Sequence, residues 1–262
     1  MAYDIDDAVW ERPAYVNSPF LKVVDFDWIW KMCGMCAHGI VGNRYLEAHV
    51  RERGPEVTVI PTCVDMVVHQ PKKYHETPEG PVLLGWTGLK DNFGYMEEIR
   101  DVLVELASRY AIALLVASDG PCHIPGVEVI YRRWRLEDEL EYLQEPDIGL
   151  MPLTQSPRAQ GKCAYKALEF MAVGTPCVIS PVGMNAEIIV DGVTGFLAAT
   201  REEWLSGLER LIINPTLRRR MGEAARQAVI QRYSHEVHYA RFLAAMKKTA
   251  GFNRDEPVNQ PL

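Results

Sequence analysis

Between residues 82 and 180, short apolar runs alternate with helix-patterned segments, and this alternation limits the fold more than any other feature of the chain. The runs stand at 82–86, 113–116, 127–131, 148–151 and 178–180, each the length of a strand rather than a helix. Helical segments separate several of them, at 95–109, 137–144 and 163–173; the first places Met96, Ile99, Leu103 and Leu106 on one face. Strands that alternate with amphipathic helices imply a parallel sheet covered on both sides. Residues 81–233 are therefore expected to form one Rossmann-like, doubly wound α/β domain. Such sheets bind ligands beyond the carboxyl ends of their strands. The loops at 86–94, 117–123, 132–136, 152–162 and 181–187 are where chemistry is expected.

The flanks are less regular. Residues 28–53 read as helical, with an interruption at 39–43, and a strand at 57–60 stops at Pro61. The stretch 65–80 has no apolar period and carries Pro71, Pro78 and Gly80, so 69–80 is read as a linker behind a small N-terminal part, 1–68. Helices are expected at 201–213 and 215–231. Ser234 then caps a helix, 234–250, with Val237, Ala240, Leu243 and Ala244 inward. Residues 251–262 have the composition of a disordered tail.

Charge and cysteine usage narrow the function classes. Lys and Arg number 28 against 35 Asp and Glu, a net charge of −7. That balance argues against nucleic acid as a partner, since such surfaces are basic. No apolar run is long enough to cross a membrane, and the acidic, proline-bearing start does not have the pattern of a signal peptide. Six scattered cysteines read as reduced, mostly buried thiols, which places the chain in the cytoplasm. Cys33 and Cys36 form a C-x-x-C without the second pair a metal knuckle needs, and are read as structural.

The residues with most chemistry lie between 158 and 198. On a helix beginning after Gly161, Lys162, Lys166 and Glu169 fall within about 60° of one another, opposite Ala164, Leu168 and Met171. Two cations and a carboxylate then share one face near a helix N-terminus, an end that itself favours anions. With Arg158 upstream, a diphosphate fits there, and Glu169 accepts hydrogen bonds from a ribose. The alternative is a solvated face with Lys166 and Glu169 as a surface pair. A second loop, Ser180 to Glu187, bends at Gly183 and offers backbone N–H groups around Met184 and Asn185. Neither loop is a G-x-G-x-x-G or Walker sequence.

This region resembles the donor-binding segment of the large retaining GT-B glycosyltransferase family (family 4), known as glycosyl transferases group 1. That family shows E-x7-E, then M-A-x-G-x-P-V-V, a G-x-x-E turn and D-G-x-x-G-x-L. Here stand Glu169, MAVGTPCV at 171–178, GMNAE at 183–187 and DGVTGFL at 191–197. GWTG at 85–88, DIGLMPL at 147–153 and MGEAARQAVIQRYS at 221–234 match one bacterial branch, and the likeness runs over residues 3–248.

The resemblance implies transfer of a sugar, with retention, from a nucleoside-diphosphate donor such as a UDP-sugar to an acceptor hydroxyl. The acceptor is a sugar or a lipid-linked molecule, as in polysaccharide biosynthesis, and no metal or other cofactor is expected. It gives Glu169 the ribose. The first motif carboxylate is replaced by Gly161, which leaves Lys162, Lys166 and Arg158 for the phosphates or the sugar. Lys90 is only a loose match to the family's cations. Gly88, Gly183, Met184 and Asn185 belong to donor loops, and Trp134, between Arg133 and Arg135, to the loop that meets the base, or else it packs over that loop. Asp6 and Asp7, at the end of a strand YDIDDA, face the cleft or cap the following turn; with Lys162 they are the catalytic candidates.

Family members carry about a hundred further residues before this strand, so residues 1–68 are expected to be a remnant of the acceptor-side domain. Helix 234–250 then crosses back to it and exposes apolar surface for self-association or a partner chain, and lipid-linked acceptors would bring the protein to the inner membrane face. Three rivals stand beside this reading. They are a non-catalytic nucleotide-sugar-binding module, a nucleotide-sugar epimerase, for which the donor loops offer only His123, and a structural subunit.

Overall fold

The computed structural model describes residues 1–11, 27–74 and 80–251. The tail residues 252–262, expected to be disordered, lie outside the described residues.

Two parallel sheets organise the chain. The first takes β1 (Ala2–Ile5), β2 (His38–Val41) and β3 (Glu56–Val59) in that spatial order, with α1 (Asp27–Gly34) before β2 and α2 (Arg44–Arg51) after it. The helical reading of 28–53 is corrected here: His38–Val41 is a fully buried strand between two helices. Its backbone is shared between β1 on one side and β3 on the other, from His38 paired with Ala2 and Glu56 onward. Tertiary pairing overrides local helical preference, as it does where a short segment is buried on both faces.

The second sheet contains β4 (Val82–Thr87), β5 (Ile112–Ser118), β6 (Glu128–Arg133), β7 (Ile148–Met151), β8 (Cys177–Ile179) and β9 (Gly195–Leu197). Their order, β6-β5-β4-β7-β8-β9, confirms the doubly wound Rossmann-like class. The chain winds outward from β4 through β5 to β6, then returns to β7 beside β4 and winds the other way. The crevice at the carboxyl ends of β4 and β7 is thus the topological switch point. Strand β9 escaped the sequence reading because three residues are too few to show a period.

Around this sheet lie α3 (Phe93–Glu97), α4 (Arg100–Arg109), α5 (Glu139–Gln144), α6 (Pro157–Gln160), α7 (Tyr165–Val173), α8 (Asn185–Ile188), α9 (Arg201–Ile212) and α10 (Pro215–Arg232), while α11 (His235–Thr249) returns to the first sheet beside β2. The expected helix 95–109 is two helices, because Ile99 leaves helical geometry at φ −114°. Helix α7 is covered almost all round, with every residue from Ala167 to Val173 buried. One apolar core runs from Ile5, Val41 and Leu46 of the first unit through Ala164, Leu168 and Phe170 to Ala225 and Val229 of α10. The two sheets therefore share a core.

Part of the expected linker packs on α7. Lys72 N–H donates to the Val173 carbonyl (2.8 Å), the Tyr74 hydroxyl donates to the Gly174 carbonyl (2.6 Å), and His69 is buried. This segment supplies hydrogen-bond partners to the C-terminal end of α7, which a free helix end lacks. Helix α11 is the reverse case. Val237, Ala240, Leu243 and Ala244 were expected inward, yet all four are exposed and Ala245 is the buried residue of this helix. The helix is tied near its ends, by the Val64–Ser234 bridge and by Lys248 to Glu56, and a groove separates its middle from β3.

Candidate functional site

A cavity of about 340 Å³ opens at the switch point. Trp86 comes from the end of β4 and Met151, Pro152 and Leu153 from the end of β7. The 162–166 segment supplies Lys162 and Lys166, and the first unit contributes Asp6, Asp7 and Thr62. Four of the expected site residues, Asp6 and Asp7 from one end of the chain and Lys162 and Lys166 from the other sheet's unit, thus meet in one place.

The route by which they meet differs from the helical-face argument. Helix α7 begins at Tyr165, so Lys162 lies on a loop and not on the helix with Lys166 and Glu169. The interruption is Ala164, at φ 57°, where among the described residues it is the one non-glycine in the left-handed region. That conformation costs an L-residue about 1–2 kcal/mol, and it turns the loop so that Lys162 reaches the cavity held by Lys166. Two contacts fix the loop from behind. Asn43 caps α2 by accepting from Leu46 N–H (2.9 Å) and donates its amide to the carbonyls of Gly161 (3.1 Å) and Lys162 (3.2 Å). Gly161 packs against Ala8 so closely that an added Cβ would sit 2.3 Å from the alanine methyl. Gly161 thus serves the fit between the two units.

Charge in the cavity is arranged around Asp7. Its Oδ1 accepts from the N–H of the next residue, Ala8 (2.9 Å), and its Oδ2 lies 3.9 Å from both Lys162 Nζ and an Arg158 nitrogen. Arg158 also donates to the Glu11 carbonyl (2.6 Å). Lys166 stands with Nζ 5.0 Å from the centre of the Trp86 ring, a cation–π geometry. Burial pushes its pKa down to about 8, the Lys162 charge adds to that, and Glu169 opposes it. A Cβ on Gly88 would lie 2.3 Å from Lys166 Nζ and 2.7 Å from the Trp86 ring, so this position admits the lysine only as glycine.

Glu169 is 4% exposed, which removes the alternative of a solvated face. Among the described residues its Oε1 has no hydrogen-bond partner, and it faces His69 Nε2 at 3.9 Å. It lies beside the cavity rather than in its lining; Tyr165, on the rim and 43% exposed, stands against it, and burial together with the Glu169 carboxylate raises the tyrosine pKa. Gly183 has φ 53° and presses on the Gln160 carbonyl, joining the second loop to the first. Met184 is buried and borders the groove under α11. Asn185 is buried, donating to the Ser180 carbonyl (3.1 Å), and its own Oδ1 is unpartnered among the described residues. Trp134, whose backbone N–H donates to the Ser118 carbonyl, is half exposed beyond β6 and does not line the cavity; nor do Lys90 and His123, both exposed. Trp86, Asn43 and His69 are the site residues that sequence reasoning missed. Asn is a preferred cap residue, which is the signal that could have found Asn43, but nothing local points to its second partner.

Residues 127–228 match the family model for glycosyl transferases group 1. N-acetyl-alpha-D-glucosaminyl L-malate synthase of Bacillus anthracis is 26% identical over 157 residues, covering 55% of this chain and 40% of that protein. The chain thus spans about two fifths of the length of that relative. Among solved structures, sucrose-phosphate synthase from Thermosynechococcus elongatus aligns with a TM-score of 0.66 at 17% identity, over 91% of this chain and 65% of the other. Anabaena HepE, solved in complex with UDP-glucose, aligns at 0.68 and 14% identity, over 94% and 72%. At such identities the likeness establishes the fold, the parallel Rossmann-like architecture of GT-B glycosyltransferases. Among the described residues no helix is long and apolar enough to cross a membrane.

Proposed function

We propose, from the match to glycosyl transferases group 1 and from the cavity at the switch point, that this chain carries the donor site of a glycosyltransferase. It takes a sugar from a nucleoside-diphosphate sugar, a UDP-sugar first, and passes it to an acceptor hydroxyl with retention of configuration. The observation that carries the reading is the meeting of Lys162 and Lys166 in a cavity bounded by Trp86, with the buried carboxylate of Glu169 beside it. The lysines supply fixed positive charge where the leaving diphosphate develops negative charge, which is the largest contribution most such sites make. No metal is needed for this step in our reading. Glu169 has an unpartnered oxygen for a ribose hydroxyl, reached when the Tyr165 side chain on the rim turns aside. Asp7 holds Lys162 and Arg158 in place and lies where an acceptor would approach. Retention and the UDP preference rest on the resemblance of the motifs at 169–197 and on the UDP-glucose complex of Anabaena HepE.

The test is calorimetry with UDP, GDP and ADP on the wild type and Glu169→Ala. One nucleotide should bind selectively, and the substitution should weaken it about tenfold or more, the worth of a hydrogen bond to a charged group. Equal affinity in the folded variant would remove Glu169 from the site.

A further inference from the structure

Behind Tyr165 a group of titratable side chains meets outside the cavity. His69 and Glu169 are both buried, with side-chain exposures of 7% and 5%, and their facing atoms, Nε2 and Oε1, are 3.9 Å apart. The other ring nitrogen, Nδ1, lies 2.9 Å from the Asp65 carbonyl. A carbonyl only accepts, so Nδ1 carries a proton whatever the charge of the ring. What faces Glu169 is then decided by the second proton. In the neutral ring Nε2 presents a lone pair to a carboxylate oxygen, which is repulsive. In the imidazolium it presents an N–H to an oxygen that has no other partner among the described residues. The titratable and charged groups around the pair are Tyr165, a neutral phenol hydrogen-bonded to Glu169, and the Lys166 cation on α7, Glu139 on α5, Asp65 before His69, and Arg226 on α10, which donates to the His69 carbonyl (2.6 Å).

We propose that His69 is a positioning residue of the donor site: as imidazolium it orients the Glu169 carboxylate for the ribose of a nucleoside diphosphate, and deprotonation weakens that hold. The proposal rests on the reading of Glu169 as the ribose acceptor. Electrostatics agree with the geometry. Burial lowers the pKa of His69, but the Glu169 carboxylate, the Asp65 carbonyl and Glu139 together outweigh it, and the net direction is upward. The charged form is favoured by the same carboxylate it would orient.

Two measurements test this. The first follows the His69 ring by NMR through a pH titration of the wild type and Glu169→Gln. The histidine should titrate above its ordinary value in the wild type and at least about one unit lower in the variant. The second measures UDP affinity across the same pH range in the wild type, His69→Gln, His69→Phe and Lys166→Met. Wild-type affinity should fall about tenfold as His69 loses its proton. His69→Gln, whose amide still donates to Glu169, should keep most of the affinity and lose that limb of the profile, while Lys166→Met retains it. His69→Phe should bind weakly at every pH. A His69 titration indifferent to Glu169→Gln, or the same UDP profile in the wild type and folded His69→Phe, would overturn the role of His69 alone. No UDP binding by any folded form, with the NMR coupling intact, would overturn the donor-site reading itself and this role with it.

Discussion

At the scale of single residues, the loop conformation hangs on Ala164. Its φ of 57° places a Cβ where glycine has none, and the strain is held by the contacts on either side. Ala164→Gly should relieve it. Glycine loses more chain entropy on folding, about 0.5–1 kcal/mol, and gives up a buried methyl worth about 0.8 kcal/mol, which together offset the left-handed penalty of about 1–2 kcal/mol, so stability should change by less than about 0.5 kcal/mol. Urea denaturation measures this, and a loss of about 1.5 kcal/mol or more, the sum of the two costs without the relief, would show that the loop is not strained at this residue. Neighbouring residues carry the opposite lesson. Gly88 and Gly161 are glycines for lack of room, not for their backbone angles: Lys166 and Trp86 crowd one, and Ala8 crowds the other.

At the scale of elements, the first sheet is joined to the cavity through the start of α2. Asn43 satisfies an orphan N–H of that helix with its oxygen and two loop carbonyls with its nitrogen. Asn43→Ala removes a cap worth about 1 kcal/mol and leaves buried carbonyls short of a donor, which adds about 1–3 kcal/mol. We expect a loss of about 2–4 kcal/mol together with faster amide exchange in the 161–164 loop. Exchange unchanged there would mean that the loop is held by other contacts. Helix α7 is the second element on which the site depends. Packed by the sheet, α10 and the segment around Lys72, it presents Lys166 and Glu169 into polar niches within its packing surface rather than to bulk water.

At the scale of the molecule, two consequences follow from the shared core and the depressed lysine. The continuity of apolar packing from Ile5 to Val229 predicts one cooperative unfolding transition by calorimetry, with equal calorimetric and van't Hoff enthalpies. Two separated transitions would show that the sheets unfold apart. Lys166, with a pKa near 8, is partly neutral at mildly alkaline pH. A bound diphosphate favours the charged form, so its pKa rises and binding takes up a proton between about pH 8 and 10. Affinity should therefore fall as pH rises through 8. Titrations of UDP in buffers of different ionisation enthalpy measure the uptake directly, and Lys166→Met should bind more weakly and take up no proton in that range.

What the sequence determined by itself was whatever short-range patterning can encode. Buried runs such as 82–86 and 148–151 and helical faces such as that of Met96, Leu103 and Leu106 marked the second sheet as parallel and doubly wound, and with it the loops where ligands bind, while the strand order came from the tertiary structure. The lysines and Glu169 stood out because their spacing put two cations and a carboxylate on one expected helix face, opposite Ala164, Leu168 and Met171. Only the tertiary structure decided how these parts combine. His38–Val41 is a strand because two other strands flank it, and no local pattern announces a neighbour. Lys162 reaches the cavity through a left-handed turn that an alanine does not advertise. Glu169 is buried, and His69 faces it, because a segment with a linker's composition folds back across α7. Each of these depends on contacts between residues far apart in the chain, where the free energy comes from packing and pairing rather than from local propensity.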